Sequence, residues 1–131
     1  MTNTDFVRTI TDSSRELSPV ERLRVKMGTD AVSLDKMLDS VDEVVIDYDY
    51  YAVVSIHNER SQNKDYMRLM IVEKNGNMYY TGSNTFYVAM MEILDEISDA
   101  GTENFIIKAF RKPSKNYSGK FFITASVDFK R

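Results

Sequence analysis

The spacing of apolar and polar positions changes period twice along this chain, and each change marks an element. The opening stretch has little period. Thr4 to Leu17 is weakly amphipathic through Phe6, Ile10 and Leu17, and its polarity predicts a partly disordered lead-in. The next segment, SPVE, is a capping box: Ser18 is the N-cap, Pro19 the first helical position, and Glu21 lies three residues after the cap. The spacing predicts a helix from Pro19 to about Met27 that buries Val20, Leu23 and Met27 and stops at Gly28. Ala31 to Asp42 is ambiguous, with a short helical turn around Leu34, Met37 and Leu38.

From Glu43 the period becomes two. Val44, Ile46, Tyr48, Tyr50, Ala52, Val54 and Ile56 share one face, expected to be core; Asp47, Asp49, Tyr51, Val53, Ser55 and His57 share the other. This long strand ends in the polar loop Asn58–Lys64. A second strand, Asp65 to Glu73, turns Met67, Leu69 and Ile71 inward and Tyr66, Arg68 and Met70 outward. Asn75-Gly76 is a two-residue hairpin signal leading into a short strand, Asn77–Thr81. Parity leaves one of Tyr79 and Tyr80 inside and one outside, without saying which.

The period then lengthens to that of a helix. Ser83 is an N-cap, and Phe86, Met90, Ile93, Leu94 and Ile97 lie on one helical face, with Gly101 as the stop. Two further strands come after it, Glu103–Lys112 and Lys120–Phe129, joined by the loop Pro113–Gly119. In the last, Phe121, Ile123, Ala125, Val127 and Phe129 form the expected core face, and Lys120, Phe122, Thr124 and Ser126 face out. The order β-β-β-α-β-β is that of the OB-fold, a five-stranded, partly open Greek-key barrel. The expected organisation is therefore a helical, partly disordered extension over residues 1–42 and an OB-fold domain over residues 43–131.

Charge adds the functional signal. No acidic residue occurs from Phe105 to Val127, although the chain has 20. That window carries +5 through Lys108, Arg111, Lys112, Lys115 and Lys120, against −8 for the remainder and −3 overall. Phe110, Tyr117, Phe121 and Phe122 are interleaved with the cations. Cations that track phosphates beside rings that stack on bases suit single-stranded nucleic acid. A hairpin with core aromatics and solubilising edge lysines is the plain structural alternative. In an OB-fold the ligand lies across strands two and three, between the first-second and fourth-fifth loops, which here are the basic segments Asn58–Lys64 and Pro113–Gly119. The candidate nucleic-acid-binding residues are accordingly Tyr51, Arg60, Lys64, Tyr66, Arg68, Lys108, Phe110, Lys112, Lys115, Tyr117, Lys120 and Phe122.

Other chemistry has little support. The chain has no cysteine, which removes disulfides and thiolate chemistry and fits a reducing cytoplasm. Asp42, Glu43, Asp47 and Asp49 lie along one strand, where two-metal chemistry needs carboxylates converging from several elements; a solvated acidic edge is expected. His57 is the single histidine and has no triad or zinc partners in the pattern. There is no Walker or GxGxxG glycine pattern, so no cofactor or metal is expected. No apolar run approaches the ~20 residues of a membrane span. The polar first residues do not resemble a signal peptide.

Three stretches resemble the single-stranded DNA-binding proteins of tailed phages and mobile elements of Gram-positive bacteria: YYAVVSIHNE (Tyr50–Glu59), DYMRLMIVEKNGNMYYTGSNTFYVAMMEILDEI (Asp65–Ile97) and FRKPSKNYSGKFFITASV (Phe110–Val127). The TGS before the helix and the PSKNY-GK-FIT loop-strand are the most specific. The resemblance implies an OB-fold that coats single strands without catalysis during replication, recombination or transfer. Members often carry a Trp in the helix or fourth strand, and this chain has none. It ends Asp128-Phe129-Lys130-Arg131, where bacterial housekeeping relatives end in an acidic tail. The expected ligand is single-stranded DNA, with RNA subsidiary since nothing reads a 2′-hydroxyl. The expected location is the cytoplasm, that of the host for a phage-encoded chain. Self-association and replication or recombination partners are left open. An OB-fold protein-interaction module or inhibitor without nucleic acid is the alternative.

Overall fold

An eleven-residue strand, β4 (Tyr48–Asn58), is the spine of the molecule, because both of its edges are paired and both of its faces are buried. The computed structural model describes residues 6–60, 62, 65–100, 104–114 and 119–129. In chain order its elements are β1 (Phe6–Ser13), α1 (Pro19–Met27), β2 (Val32–Ser33), α2 (Leu34–Met37), β3 (Glu43–Ile46), β4, β5 (Asp65–Glu73), β6 (Met78–Thr81), α3 (Asn84–Ala100), β7 (Phe105–Pro113) and β8 (Phe121–Phe129). The fold is mainly β, in two sheets that do not close: one ordered β1-β4-β5-β6-β2, the other β3-β7-β8. All pairings are antiparallel except β2 with β6.

The strand expected to start at Glu43 is broken at Asp47, and the break sends its two halves into different sheets. Glu73 pins it. One carboxylate oxygen accepts from the Asp47 amide at 2.9 Å and the other from the Tyr79 hydroxyl at 2.8 Å, while the Asp47 carbonyl accepts from the Lys74 amide at 2.9 Å. These bonds allow Glu73 to be buried. Burial, then the bond to Glu73, pushes the Tyr79 phenol up to about 12.

Just past the break the β4–β5 register shifts between Tyr48 and Tyr50. Such a bulge reverses the inward parity of the residues beyond it. Val44 and Ile46 of β3 share a core with Tyr51, Val53, Leu69, Ile71, Phe86, Met90, Ile107 and Ile123, lying between the sheets and α3. Tyr50, Ala52, Val54 and Ile56 turn instead into a second core with Leu17, Val25, Met70, Val72 and Met78, under α1. Tyr51 and Val53 are thus core residues, not outward ones.

The N-terminal section is more structured than its polarity predicts. Phe6–Ser13 is a strand along β4 rather than a disordered lead-in, with Ile10 packed against the second core. The capping box forms as expected: the Glu21 amide donates to Ser18 Oγ and the Ser18 amide to Glu21 Oε1. Gly28 ends α1 at φ 60°, in the left-handed region. The helix nevertheless turns the opposite face inward. Val20, Leu23 and Met27 are 77%, 63% and 49% exposed, while Val25 is 1% exposed. Polar ties accompany this rotation. Arg15 forks onto Glu21 at 3.1 and 2.8 Å, and Arg24 binds Asp30 and the Gly76 carbonyl. Glu21 is held down at about 2, first by Arg15 and then by the Ser18 amide.

The remaining helices obey their local signals. The turn at Leu34–Met37 buries Leu34 and the adjoining Leu38. Ser83 Oγ accepts from the Phe86 amide at 3.2 Å, α3 buries Phe86, Met90 and Ile97, and Thr85 donates to the Ile123 carbonyl at 2.7 Å, fastening α3 to β8. The expected stop at Gly101 lies outside the described residues.

Candidate nucleic-acid interface

The outer face of β5 and β6 is set by strand alternation. Tyr66 stands opposite Ile56, and Arg68 opposite Val54; Arg8 and Ile10 of β1 pair with the same two β4 residues. One row thus reads Arg8-Ile56-Tyr66 and the next Ile10-Val54-Arg68. The Arg68 guanidinium carbon lies 4.5 Å from the centre of the Tyr80 ring, within cation–π range. Tyr80 is thus on the Arg68 face, packed against the second core, and Tyr79 on the opposite face, packed against the first. The other half of this face, around Met70, Val72 and Met78, is covered by α1 and Leu17. Tyr66, Arg68 and Tyr80 remain half-buried, at the border of the cover.

The β7–β8 hairpin carries the second group. Phe105, Ile107 and Ala109 point into the first core. Alternation turns Lys108, Phe110 and Lys112 outward, where Phe110 pairs across with Thr124 and Lys112 with Phe122. The Lys112 ammonium is 5.8 Å from the Phe110 ring centre. Phe110 and Phe122 are half-buried, and Lys112 and Lys120 exposed. Acids from outside the acid-free window meet two of its cations. Lys108 lies 3.5 Å from Asp128, and Arg111 binds Asp39 at 2.7 Å and the Asp35 and Leu38 carbonyls. The usable positive field is smaller than the formal +5.

The two groups occupy outer faces of different sheets, because the break at Asp47 separates the strands that carry them. Tyr51 belongs to neither. It is buried in the first core and its hydroxyl donates to Asp12 at 3.2 Å, with burial raising its pKa; the bulge, invisible to parity counting, turned it inward. Arg60 is exposed in the turn after β4, its amide bonded to Asn58 Oδ1. Lys64, Lys115 and Tyr117 lie outside the described residues. Phe121 also departs from its expected place in the core. It pairs with Pro113 at the hairpin's end and is 63% exposed. Phe129, at the other end, is exposed too, whereas Ile123, Ala125 and Val127 pack inward as expected.

His57 lies at the mouth of the β4–β5 loop. Its Nδ1 is 2.7 Å from Asp65 Oδ1 and its Nε2 is 2.7 Å from Glu59 Oε1. Two carboxylate acceptors require two N–H donors, hence the imidazolium; Asp65 first and Glu59 second raise the pKa.

Sequence reasoning missed Arg8, which lay in a stretch read as weakly amphipathic and partly disordered, and could not choose between Tyr79 and Tyr80. Among the described residues no three His, Cys, Asp or Glu side chains gather as metal ligands, and Asp42, Glu43 and Asp49 are exposed. No described helix is long and apolar enough to cross a membrane. The chain matches no protein-family model, no curated protein and no solved structure.

Proposed function

We propose that this protein binds single-stranded DNA without catalysis, through an OB-type arrangement, and coats it with little sequence preference during replication, recombination or transfer in the cytoplasm. The observation that carries this reading is a cation set over an aromatic ring on the outer face of each sheet: Arg68 with Tyr80, and Lys112 with Phe110. Rings and guanidinium planes offer bases a stacking surface, while ammonium groups take phosphates; neither discriminates sequence. The connectivity supports the OB reading. Taken as one bent strand, β3 and β4 pair with β7 and β5 respectively, and β5, β6, α3, β7 and β8 come in OB order.

Anisotropy titration with single-stranded and duplex oligonucleotides of the same sequence tests the proposal. The single strand should bind more tightly. With about six phosphates neutralised, the log–log salt slope should be about −4. Equal affinity for duplex, or a flat salt response, would reject it. A protein-interaction module is the second reading, favoured by the uncovered Val20, Leu23 and Met27 stripe of α1; it gains if neither nucleic acid binds.

A further inference from the structure

Among the described side chains Phe121 is the most exposed ring, at 63%. It forms one wall of a cavity of about 330 Å³, with Leu38, Val41, Asp42 and Arg111 as the others. Three features make this more than a loose surface ring. The first is apolar lining: Val41 and Phe121 are both exposed where the β7–β8 hairpin meets the segment after α2. The second is a fixed guanidinium. Arg111 donates to the Leu38 carbonyl at 3.3 Å, the Asp35 carbonyl at 3.0 Å and Asp39 at 2.7 Å, so its plane is held before any ligand arrives. The third is an exposed carboxylate, Asp42, on the same cavity. Lys112 and Lys120, both exposed, flank the Pro113–Phe121 pair.

We infer that this cavity receives one unstacked nucleobase of a bound single strand, seated on the Phe121 ring, with Asp42 accepting a hydrogen bond from an exocyclic amine. The inference rests on the single-strand reading and adds a base preference to it. Stacking on Phe121 is indifferent to the base, since every base has a π-face. Asp42 is not indifferent. Cytosine presents an amine donor at N4, whereas thymine presents an acceptor at O4. A carboxylate rewards the donor and repels the acceptor. Lys120, next to Phe121 in the chain, is an exposed cation that a flanking phosphate can meet, whereas Lys112 turns to the opposite face of the hairpin, beside Phe110.

Titration of oligo-dC and oligo-dT with wild type, Phe121→Leu, Phe121→Ala, Asp42→Asn and Lys112→Ala tests this, each variant first checked by thermal melting. Wild type should favour oligo-dC by roughly tenfold, the scale of one hydrogen bond to a charged group. Both Phe121 variants should weaken binding to either oligonucleotide by about 5- to 150-fold, the worth of one stacked base; the leucine variant preserves apolar bulk should the alanine variant fail to fold. Asp42→Asn should bind both and lose the preference. If folded Phe121 variants bind as wild type, or Asp42→Asn keeps the preference, the base pocket is overturned. Weakened binding by Lys112→Ala would then leave the single-strand reading standing. Failure of wild type to bind either oligonucleotide overturns both.

Discussion

Replacing Tyr51 and Tyr66 by alanine should damage different properties. Tyr51 fills the first core, and its loss leaves a cavity worth about 3–5 kcal/mol of stability. Tyr66 lies half-buried on the outer face, so Tyr66→Ala should leave the fold nearly intact and cost about 1–3 kcal/mol of single-strand binding. Urea denaturation and anisotropy on both variants separate the effects; a stable Tyr51→Ala protein would contradict the inward placement. His57, the single histidine, should titrate above its ordinary 6.5, because Asp65 and Glu59 both favour the imidazolium. With the folded value raised, its stabilising contribution is complete below the unfolded pKa and is lost as pH rises through the folded one. An NMR titration reads the value directly. Asp65→Asn should lower it, and a wild-type value at or under 6.5 would rule out the double carboxylate clasp.

At the scale of elements, α1 is fixed by ties at its polar positions. Arg24 reaches the Gly76 carbonyl, Glu21 binds Arg15, whose guanidinium lies over the Tyr50 ring of β4, Val25 is buried on the same side, and Val20, Leu23 and Met27 are left in solvent. Leu23→Ala should therefore change stability by less than about 0.5 kcal/mol. Leu34→Ala, at a fully buried site at the start of α2, should cost about 2–5 kcal/mol. Paired chemical denaturation curves check this, and similar losses from both would mean that α1 packs on its apolar stripe after all. The β7–β8 hairpin shows the same play of local and distant partners. Its outward parity was legible from alternation, yet Lys108 and Arg111 are met by acids outside the window, Asp128 and Asp39.

At the scale of the whole molecule, β1 closes one edge of the larger sheet. Removing residues 1–13 should free the β4 edge, uncover one side of the second core, lower the melting temperature and promote self-association, since an open strand edge is a template for pairing. Melting curves and size-exclusion chromatography read both effects; a truncated protein of the same stability and association state as the full chain would show that β1 contributes nothing. The elements with local causes were legible along the chain. The capping box, the Leu34 turn, the Asn75-Gly76 hairpin, α3 and the alternation of β7 all depend on residues a few positions apart; the alternation of β5 and β8 held only in part, since Met70 is buried in the second core and Phe121 and Phe129 are exposed. Alternation also marked Tyr66, Arg68, Phe110, Lys112 and Phe122 as outward on their strands. The rest was set by contacts between distant segments. β1 exists because β4, distant in the chain, supplies its hydrogen bonds. The bulge after the Asp47 break reversed the parity of Tyr51 and Val53, and the break separated the candidate platform into faces of two sheets. Phe121 is exposed because, among the described residues, the segment after α2 meets that end of the hairpin only across an open cavity. Each of these outcomes depends on which distant surface a residue meets, and periodicity along one segment carries no information about that meeting.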